Sequence, residues 1–469
     1  MNQKQKNQKK IKQKKTNQQS FHQKKNYQKT QIECISLDDN GLGIFSFQNI
    51  VYRVSNLLPK EEALVEILDN KKARVLKIVT PSINRVPVKC DIYDKCGSCH
   101  LLHMNYLEQL EFKKQYFIKA YQELGIDVNV DFMIGAKKKQ GYRNKMQVAY
   151  KYEKGVAKYG FYEENTHNVI QVNRCLVQTE LQQKIADYVF EFIKKNKIEI
   201  YNEDKRKGII RYLLLKEGFT TKEVMVVIVT NGNILPSSSF LVKELKTNFP
   251  EIKTIVQNIN NRSTNIILGE EEKVLYGDGF IYDYLLDKKF KISSKSFFQI
   301  NPEQTEKMYN KIIEFAAFKS KDIVMDAYSG VGTIGILVSD SVKQIISVES
   351  NKTAVEDAII NSKINKINNV RFICEDATVF LENLTKENVK LDGIIIDPPR
   401  KGSTESFLNN IINLKIKKIV YVSCEPKTQA RDVLLLINKG YKIIKTAVID
   451  MFCGTNNVES ICYLEYKGE

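Results

Sequence analysis

The chain has 469 residues, and 72 Lys and Arg against 55 Asp and Glu leave a formal charge of +17, so a polyanionic partner is the first expectation. An apolar fraction of 43% excludes wholesale disorder, and nine cysteines are too few for a disulfide scaffold, which points instead to metal ligands, a catalytic thiol or small core residues. No apolar run approaches the ~18 residues of a membrane span and no signal-peptide pattern opens the chain, so a cytoplasmic protein without a membrane partner is expected.

Residues 1 to 30 hold ten Lys, eight Gln and four Asn with no acidic residue. Such a composition cannot bury enough surface to offset chain entropy, which predicts a disordered basic tail. The tail carries +10 of the charge and leaves 17 − 10 = +7 for the remainder. From 31 to 85, β-branched segments (Ile32 to Ser36, Ile50 to Val54, Ala63 to Leu68, Ala73 to Val79) alternate with Gly, Pro and Asn breaks, the pattern of a small OB-like β-barrel suited to RNA. Residues 86 to 290 read as a central mixed α/β domain. It opens with a cysteine cluster and a helix from Asn105 to Leu124, followed by aromatic strands Met146 to Tyr152 and Ala157 to Tyr162. A helix begins at the capping box Thr179-Glu-Leu-Gln182, and apolar strands follow at Ile209 to Leu215, Val224 to Val229 and Thr254 to Asn258, with a helix from Phe240 to Asn248.

From 291 to 469, strands at 323 to 327, 344 to 349, 370 to 374, 391 to 396, 417 to 423, 440 to 449 and 460 to 466 alternate with helical patterns. That succession predicts a Rossmann-like, parallel, doubly wound α/β sheet with ligands at its carboxyl edge. The loop Asp326-Ala-Tyr-Ser-Gly-Val-Gly-Thr-Ile-Gly335 follows the first of these strands, and Glu349 ends the second, placed to accept from ribose hydroxyls. An acidic Asp326 would repel a pyrophosphate but suits the ammonium and sulfonium of S-adenosylmethionine. Asp376, after the third strand, is placed to accept from the adenine amine.

The fourth strand ends in Asp397-Pro-Pro-Arg400. Arg400 stands where exocyclic-amine methyltransferases need an aromatic to stack a flipped base, which disfavours amine methylation and leaves Asp397 to line the pocket. The fifth strand ends in Ser423-Cys424-Glu-Pro426. Carbon 5 of uracil is a poor nucleophile until a thiolate adds at carbon 6, so a cysteine beside a methyl donor suits uracil-5 methylation, with Glu459 at the start of the last strand as the base for the carbon-5 proton. RNA cytosine-5 enzymes commonly add a second cysteine at the fourth-strand motif, which is absent here. Cys374 and Cys462 read as core residues; Cys453 is left open. Upstream, Cys90-x5-Cys96-Gly-Ser-Cys99 is a metal or cluster signature. Cys175 is the best fourth ligand, with His100, His103 and Cys34 behind it, and the spacing alone separates neither zinc from [4Fe-4S] nor either from a structural staple.

Together these motifs, with Asn173-Arg-Cys175, Tyr142-Arg-Asn-Lys145, Ser296-Phe-Phe-Gln-Ile-Asn301 and Val458-Glu459, resemble the RNA 5-methyluridine methyltransferases, specifically the iron-sulfur branch acting on 23S ribosomal RNA. The resemblance covers nearly the whole chain after the tail. It implies a TRAM-type barrel, a class I methyltransferase domain and a non-redox [4Fe-4S] cluster on Cys90, Cys96, Cys99 and Cys175. It further implies that Gln299, Tyr328, Thr333, Glu349, Asp376 and Asp397 bind S-adenosylmethionine, that Cys424 is the nucleophile and Glu459 the base, and that a monomer acts on 23S ribosomal RNA. The chain departs from the family pattern at Ser98, Glu425, Cys453 and Asn457. Of these, Glu425 bears most on the chemistry, because a carboxylate beside Cys424 would raise its pKa unless it points away.

Overall fold

The computed structural model describes residues 28–68, 71–153, 155–164, 166–264, 266–387 and 389–468. All but the last three positions of the predicted basic tail lie outside the described residues. The described residues up to Asp38, with Leu42–Ile83, form one compact unit; Asp39–Gly41 with Asn84–Glu469 form a second.

The first unit has strands β1 (Lys29–Glu33), β2 (Ser36–Leu37), β3 (Gly43–Phe47), β4 (Ile50–Val54), β5 (Glu62–Ile67) and β6 (Ala73–Thr80). They make two antiparallel sheets, β1-β5-β6 and β2-β3-β4. Alternate residues point inward, so Ile32, Phe45, Tyr52, Val54, Ala63 and Val65 share one core with Cys34. Cys34 is thus a packed core thiol within this unit, where burial pushes its pKa up to about 11.

The second unit begins with α1 (Tyr106–Gln122), whose first turn is capped by the Asn105 side chain accepting from the Glu108 amide. Then come β7 (Phe132–Ile134), β8 (Lys145–Glu153), β9 (Val156–Tyr162), β10 (Val169–Gln171), α2 (Glu180–Lys195), β11 (Ile210–Glu217), β12 (Val224–Thr230), α3 (Ser238–Asn248), β13 (Ile252–Ile259) and β14 (Glu271–Tyr276). Seven of these strands form a sheet in the order β10-β9-β8-β11-β12-β13-β14. The capping box on α2 is present as expected, with Thr179 and Gln182 each satisfying the other's backbone amide. β11 and β12 are buried along their whole length, because α2 and α3 cover one face while residues of the last segment cover the other; this is why they read as continuous apolar runs rather than alternating ones.

A hairpin, β15 (Phe280–Leu285) and β16 (Lys288–Ser293), leads to α4 (Pro302–Ala316). The last segment runs β17 (Ile323–Ala327), α5 (Thr333–Val338), β18 (Gln344–Glu349), α6 (Lys352–Ile364), β19 (Val370–Cys374), α7 (Ala377–Lys386), β20 (Gly393–Ile396), α8 (Glu405–Asn413), β21 (Lys418–Ser423), α9 (Pro426–Ile437), β22 (Tyr441–Ile449) and β23 (Glu459–Tyr466). Its sheet order is β19-β18-β17-β20-β21-β23-β22-β7, a mixed α/β architecture.

Two features differ from the expectation. The sheet is not wholly parallel, since β23 is inserted antiparallel to both β21 and β22. And the layers draw on residues placed in the central domain: β7 pairs with β22 at the edge, while Phe117 and Tyr121 of α1 pack into the sheet's core. Among the described residues, no helix is long and apolar enough to cross a membrane.

Candidate active site and cysteine cavity

Strand direction assembles the site. The parallel strands β17, β18, β20 and β21 deliver Asp326, Glu349, Asp397 and Cys424 to one edge of the sheet. Because β23 runs the opposite way, its first residue reaches the same edge. The register pairs Ser423 with Ser460, and one step further sets Cys424 opposite Glu459.

On the cofactor side, the buried Asp326 carboxylate accepts from the Gly335 amide at 2.9 Å and from Ser347 Oγ at 3.4 Å, through Oδ2 in both cases. A Cβ on Gly335 would come within 2.9 Å of that oxygen and 2.5 Å of Ser347 Oγ, so glycine is required by close approach. The other oxygen, Oδ1, is buried without a hydrogen-bond partner. Burial, aided by the nearby Asp397, raises the Asp326 pKa to about 7. An orphaned acceptor of this kind fits a ligand that brings its own donors, as the ammonium of S-adenosylmethionine does. Tyr328, in the same loop, holds a left-handed backbone (φ 61°), a strained conformation for a side-chain-bearing residue, and its ring packs 5.5 Å from Phe407. Glu349 orders the loop by accepting from the Gly330 amide at 3.0 Å and caps its own chain through the Asn351 amide at 2.8 Å. Asp376 is exposed and already caps α7, its Oδ1 accepting from the Thr378 and Val379 amides, which leaves Oδ2 for a ligand. Gln299 is buried, with its carbonyl held by Asn144 Nδ2 at 2.8 Å. Thr333 opens α5 behind Gly332.

At the reacting edge, burial together with the charges of Glu459 and Asp397 pushes the Cys424 thiol up to about 11, while Arg400 pulls it down. Glu459 is 3% exposed; burial first, then Asp397, raises its carboxyl well above the ordinary range. Asp397 is moved to about 7 by burial. Burial and the close approach of like charges thus raise all three groups together. Glu425 points away from this edge. Its carboxylate accepts from Tyr116 Oη at 2.6 Å and lies 3.5 Å from Arg400 Nε, and its backbone position is the N-cap of α9. A residue with no motif to announce it also belongs here. Tyr309, at a buried position of α4, has its phenol held to Thr333 and faced by Asp397, Asp326 and Glu459; burial first, then those three carboxyls, raises its pKa.

The loop leading into Glu459 is anchored from α1. Lys113 and Asp450 form a fully buried ion pair at 2.5 Å, Lys113 also donates to the Phe452 carbonyl at 3.0 Å, and Tyr106 Oη donates to Asp450 Oδ2 at 2.8 Å.

Cys90, Cys96, Cys99 and Cys175 line a single cavity of about 30 Å³ together with Tyr93, Arg143 and Gln178. Arg143 Nε and Gln178 Oε1 are buried there without hydrogen-bond partners. Burial raises the thiols, Cys99 to about 12, and Cys90 and Cys175 in the same direction. The four thiols share the cavity without closing on one centre: among the described residues no three His, Cys, Asp or Glu side chains are drawn together as a metal site. The donor set, four sulfurs and no carboxylate, fits a soft metal or an iron-sulfur group and not a hard cation. Of the reserve ligands, His100 and His103 meet Tyr93 of the same lining, whose hydroxyl donates to the His100 carbonyl at 2.7 Å and lies 2.6 Å from His103 Nδ1, and Cys34 is packed in the first unit's core. Cys453 is buried beside Tyr142, whose hydroxyl donates to the Cys453 carbonyl at 3.1 Å, and Cys462 is core as expected. Cys374 is not: it is exposed, because it ends β19, the edge strand.

Residues 105–467 match the family model described as tRNA (uracil-5-)-methyltransferase. The chain belongs to the tRNA (uracil-5-)-methyltransferase family. Its relatives include an uncharacterized RNA methyltransferase of Clostridium tetani, 40% identical over 434 residues that cover 92% of this chain and 94% of that one. Another, from Bacillus cereus, is 38% identical over 435 residues, with coverage of 92% and 95%. Among solved structures, Pyrococcus abyssi tRNA (uracil-54, C5)-methyltransferase in complex with S-adenosyl-L-homocysteine superposes with a TM-score of 0.74 at 30% identity, covering 93% of this chain and 100% of that one. With membership of the uracil-5 methyltransferase family comes its reaction class, methyl transfer to carbon 5 of uracil in RNA.

Proposed function

We propose that this chain methylates carbon 5 of a uridine in 23S ribosomal RNA through a covalent bond between Cys424 and carbon 6. The placement of Cys424 opposite Glu459 at one sheet edge, with Asp397 beside them, carries this reading. S-adenosylmethionine, when bound, supplies an electrophilic methyl group. Asp326 through its free oxygen, Glu349, Asp376 and Asp397 would hold it, with Gln299, Tyr328 and Thr333 around them. The Cys424 thiol passes its proton to solvent and the sulfur forms a bond to carbon 6, which drives the ring's electrons onto carbon 5 and the adjoining carbonyl. Once carbon 5 carries the methyl group, the Glu459 carboxylate takes the remaining carbon-5 proton, the double bond reforms and the carbon-sulfur bond breaks, returning the thiolate. Arg400 lowers the cost of the thiolate, and Tyr309 positions Thr333 and the carboxyls.

The four cysteines of the central segment would hold a non-redox [4Fe-4S] cluster that ties the loop at 90–99 to Cys175. The two-sheet unit acts as a TRAM-type RNA-binding barrel, and the groove lined by Lys138, Arg174 and Lys184 offers cations to the RNA backbone. The chain works as a cytoplasmic monomer. Transfer RNA is the second reading, favoured by the name of the Pyrococcus relative. Mapping 5-methyluridine in ribosomal and transfer RNA from cells lacking the protein tests both: loss from 23S ribosomal RNA alone is expected, and loss from transfer RNA alone overturns the substrate. Cys424→Ala abolishes labelled methyl transfer while leaving cofactor binding intact; continued turnover overturns the chemistry.

A further inference from the structure

Far along the chain from the methyl-transfer residues, the end of the seven-stranded sheet carries a second cavity of about 310 Å³, within the range of roughly 300–1,000 Å³ that holds small ligands. Its walls are unusually aromatic: Tyr152, Tyr162, Tyr201 and Tyr212 all line it. Tyr152 is 57% exposed, so one ring stands free at the mouth. Arg211 lies deep, 4% exposed, with its guanidinium 4.7 Å from the Tyr201 ring centroid. Nη1 of this arginine is committed to the carbonyls of Asn260 and Arg262 at 2.7 and 2.8 Å, but its Nε is buried with no acceptor. The hydroxyl of Tyr150, another lining residue, is likewise buried and unpartnered. Buried donors without partners are costly, on the order of 1–3 kcal/mol each. Two of them around one cavity indicate a ligand that supplies acceptors.

The mouth identifies the ligand's other edge. Glu203 is exposed there, its carboxylate only weakly engaged by Tyr212 Oη at 3.4 Å, and Asp204 lies next to it in the same lining. Carboxylates at the mouth repel a phosphate and accept from N–H groups. Flat aromatic walls, inner donors and outer acceptors are the chemistry that recognises an unstacked nucleobase. Guanine is the base that presents two adjacent donors, N1–H and N2–H₂, on one edge while carrying acceptors at O6 and N7. We propose that this pocket receives one unpaired guanine of the substrate RNA, stacked on the tyrosines with Glu203 accepting from its donor edge. The inference rests on the reading of RNA as substrate and assigns a contact remote from the methylated uridine.

The full chain is titrated with two fluorescently labelled short RNAs, C-C-G-C-C and C-C-A-C-C, neither of which contains a uracil for the methyl-transfer site. Tighter binding of the guanosine oligomer by about tenfold is expected, the value of one good charge-assisted contact at ~1.4 kcal/mol per decade. In Glu203→Gln that preference disappears, while Tyr152→Ala weakens both oligomers alike; S-adenosylhomocysteine binding is unchanged in both variants, which shows that they fold. Equal affinity for the two oligomers, or a preference that survives Glu203→Gln, overturns the proposal. Methyl transfer to RNA is read on the same wild-type sample. Transfer without guanine preference removes the pocket and leaves the proposed function; guanine preference without transfer does the reverse.

Discussion

Replacing Asp326 by Asn separates the cost of a buried acid from its use. In the folded chain the carboxyl titrates near about 7 instead of 3.8, chiefly because it is buried. A pKa raised on folding stabilises the fold below the unfolded value and loses that contribution as pH rises through the folded one. At pH well above 7 the shift corresponds to about 4 kcal/mol of destabilisation. Asn keeps an acceptor for the Gly335 amide and has nothing to titrate. The variant is therefore expected to be more stable than wild type by a margin that grows as pH rises from about 4 to about 7, approaching about 4 kcal/mol, and is flat above that. Thermal melts at about pH 5 and about pH 8 read the difference directly. S-adenosylmethionine is expected to raise the melting temperature of wild type and not of the variant, because the ligand's ammonium loses its charge partner. A stability difference independent of pH, or a variant that binds the cofactor as wild type does, refutes the assignment of Asp326 as a buried acid held for the ligand.

Lys113→Met leaves the Asp450 carboxylate buried without its cation while Tyr106 still donates to it, and urea unfolding is expected to show a loss of about 3–5 kcal/mol; adding Asp450→Asn restores part of it, and additive losses contradict the pairing. Arg400→Ala removes the charge that pulls the Cys424 pKa down, so the single-turnover rate climbs at higher pH than in wild type; an unchanged or acid-shifted profile rejects the role. Cys175→Ser is expected to lose acid-labile sulfide and visible absorbance near ~400 nm while binding S-adenosylhomocysteine normally; full sulfide retention removes Cys175 from the ligand set.

Strands of the last segment were legible because each is an apolar run cut off by Gly, Pro or an acidic loop; all seven start and end within two residues of the observed bounds. What local pattern does not encode is direction and partnership. Nothing in Glu459 to Tyr466 marks the strand as antiparallel, yet that reversal is what brings Glu459 to Cys424. β7 is three residues long, too short for any period to show, and owes its place to pairing with β22. Tyr309 occupies an inward position of an amphipathic helix and reads as core until its hydroxyl is placed among three carboxyls. The orientation of Glu425 depends on Tyr116, far away in the chain. Cys374 ended a strand whose edge position only the sheet order reveals. By contrast, the capping box at Thr179 depends on neighbours in sequence, and it was readable.

The covalent step is tested most directly by Glu459→Gln. With the base removed, Cys424 can still bond to carbon 6 and carbon 5 can still be methylated, but the carbon-5 proton stays and the carbon-sulfur bond does not break. Incubation with 23S ribosomal RNA and S-adenosylmethionine is expected to yield a protein-RNA adduct that survives denaturing electrophoresis, carries the labelled methyl group and is absent in Cys424→Ala, Glu459→Gln. Release of free methylated RNA at the wild-type rate with no adduct would contradict the account.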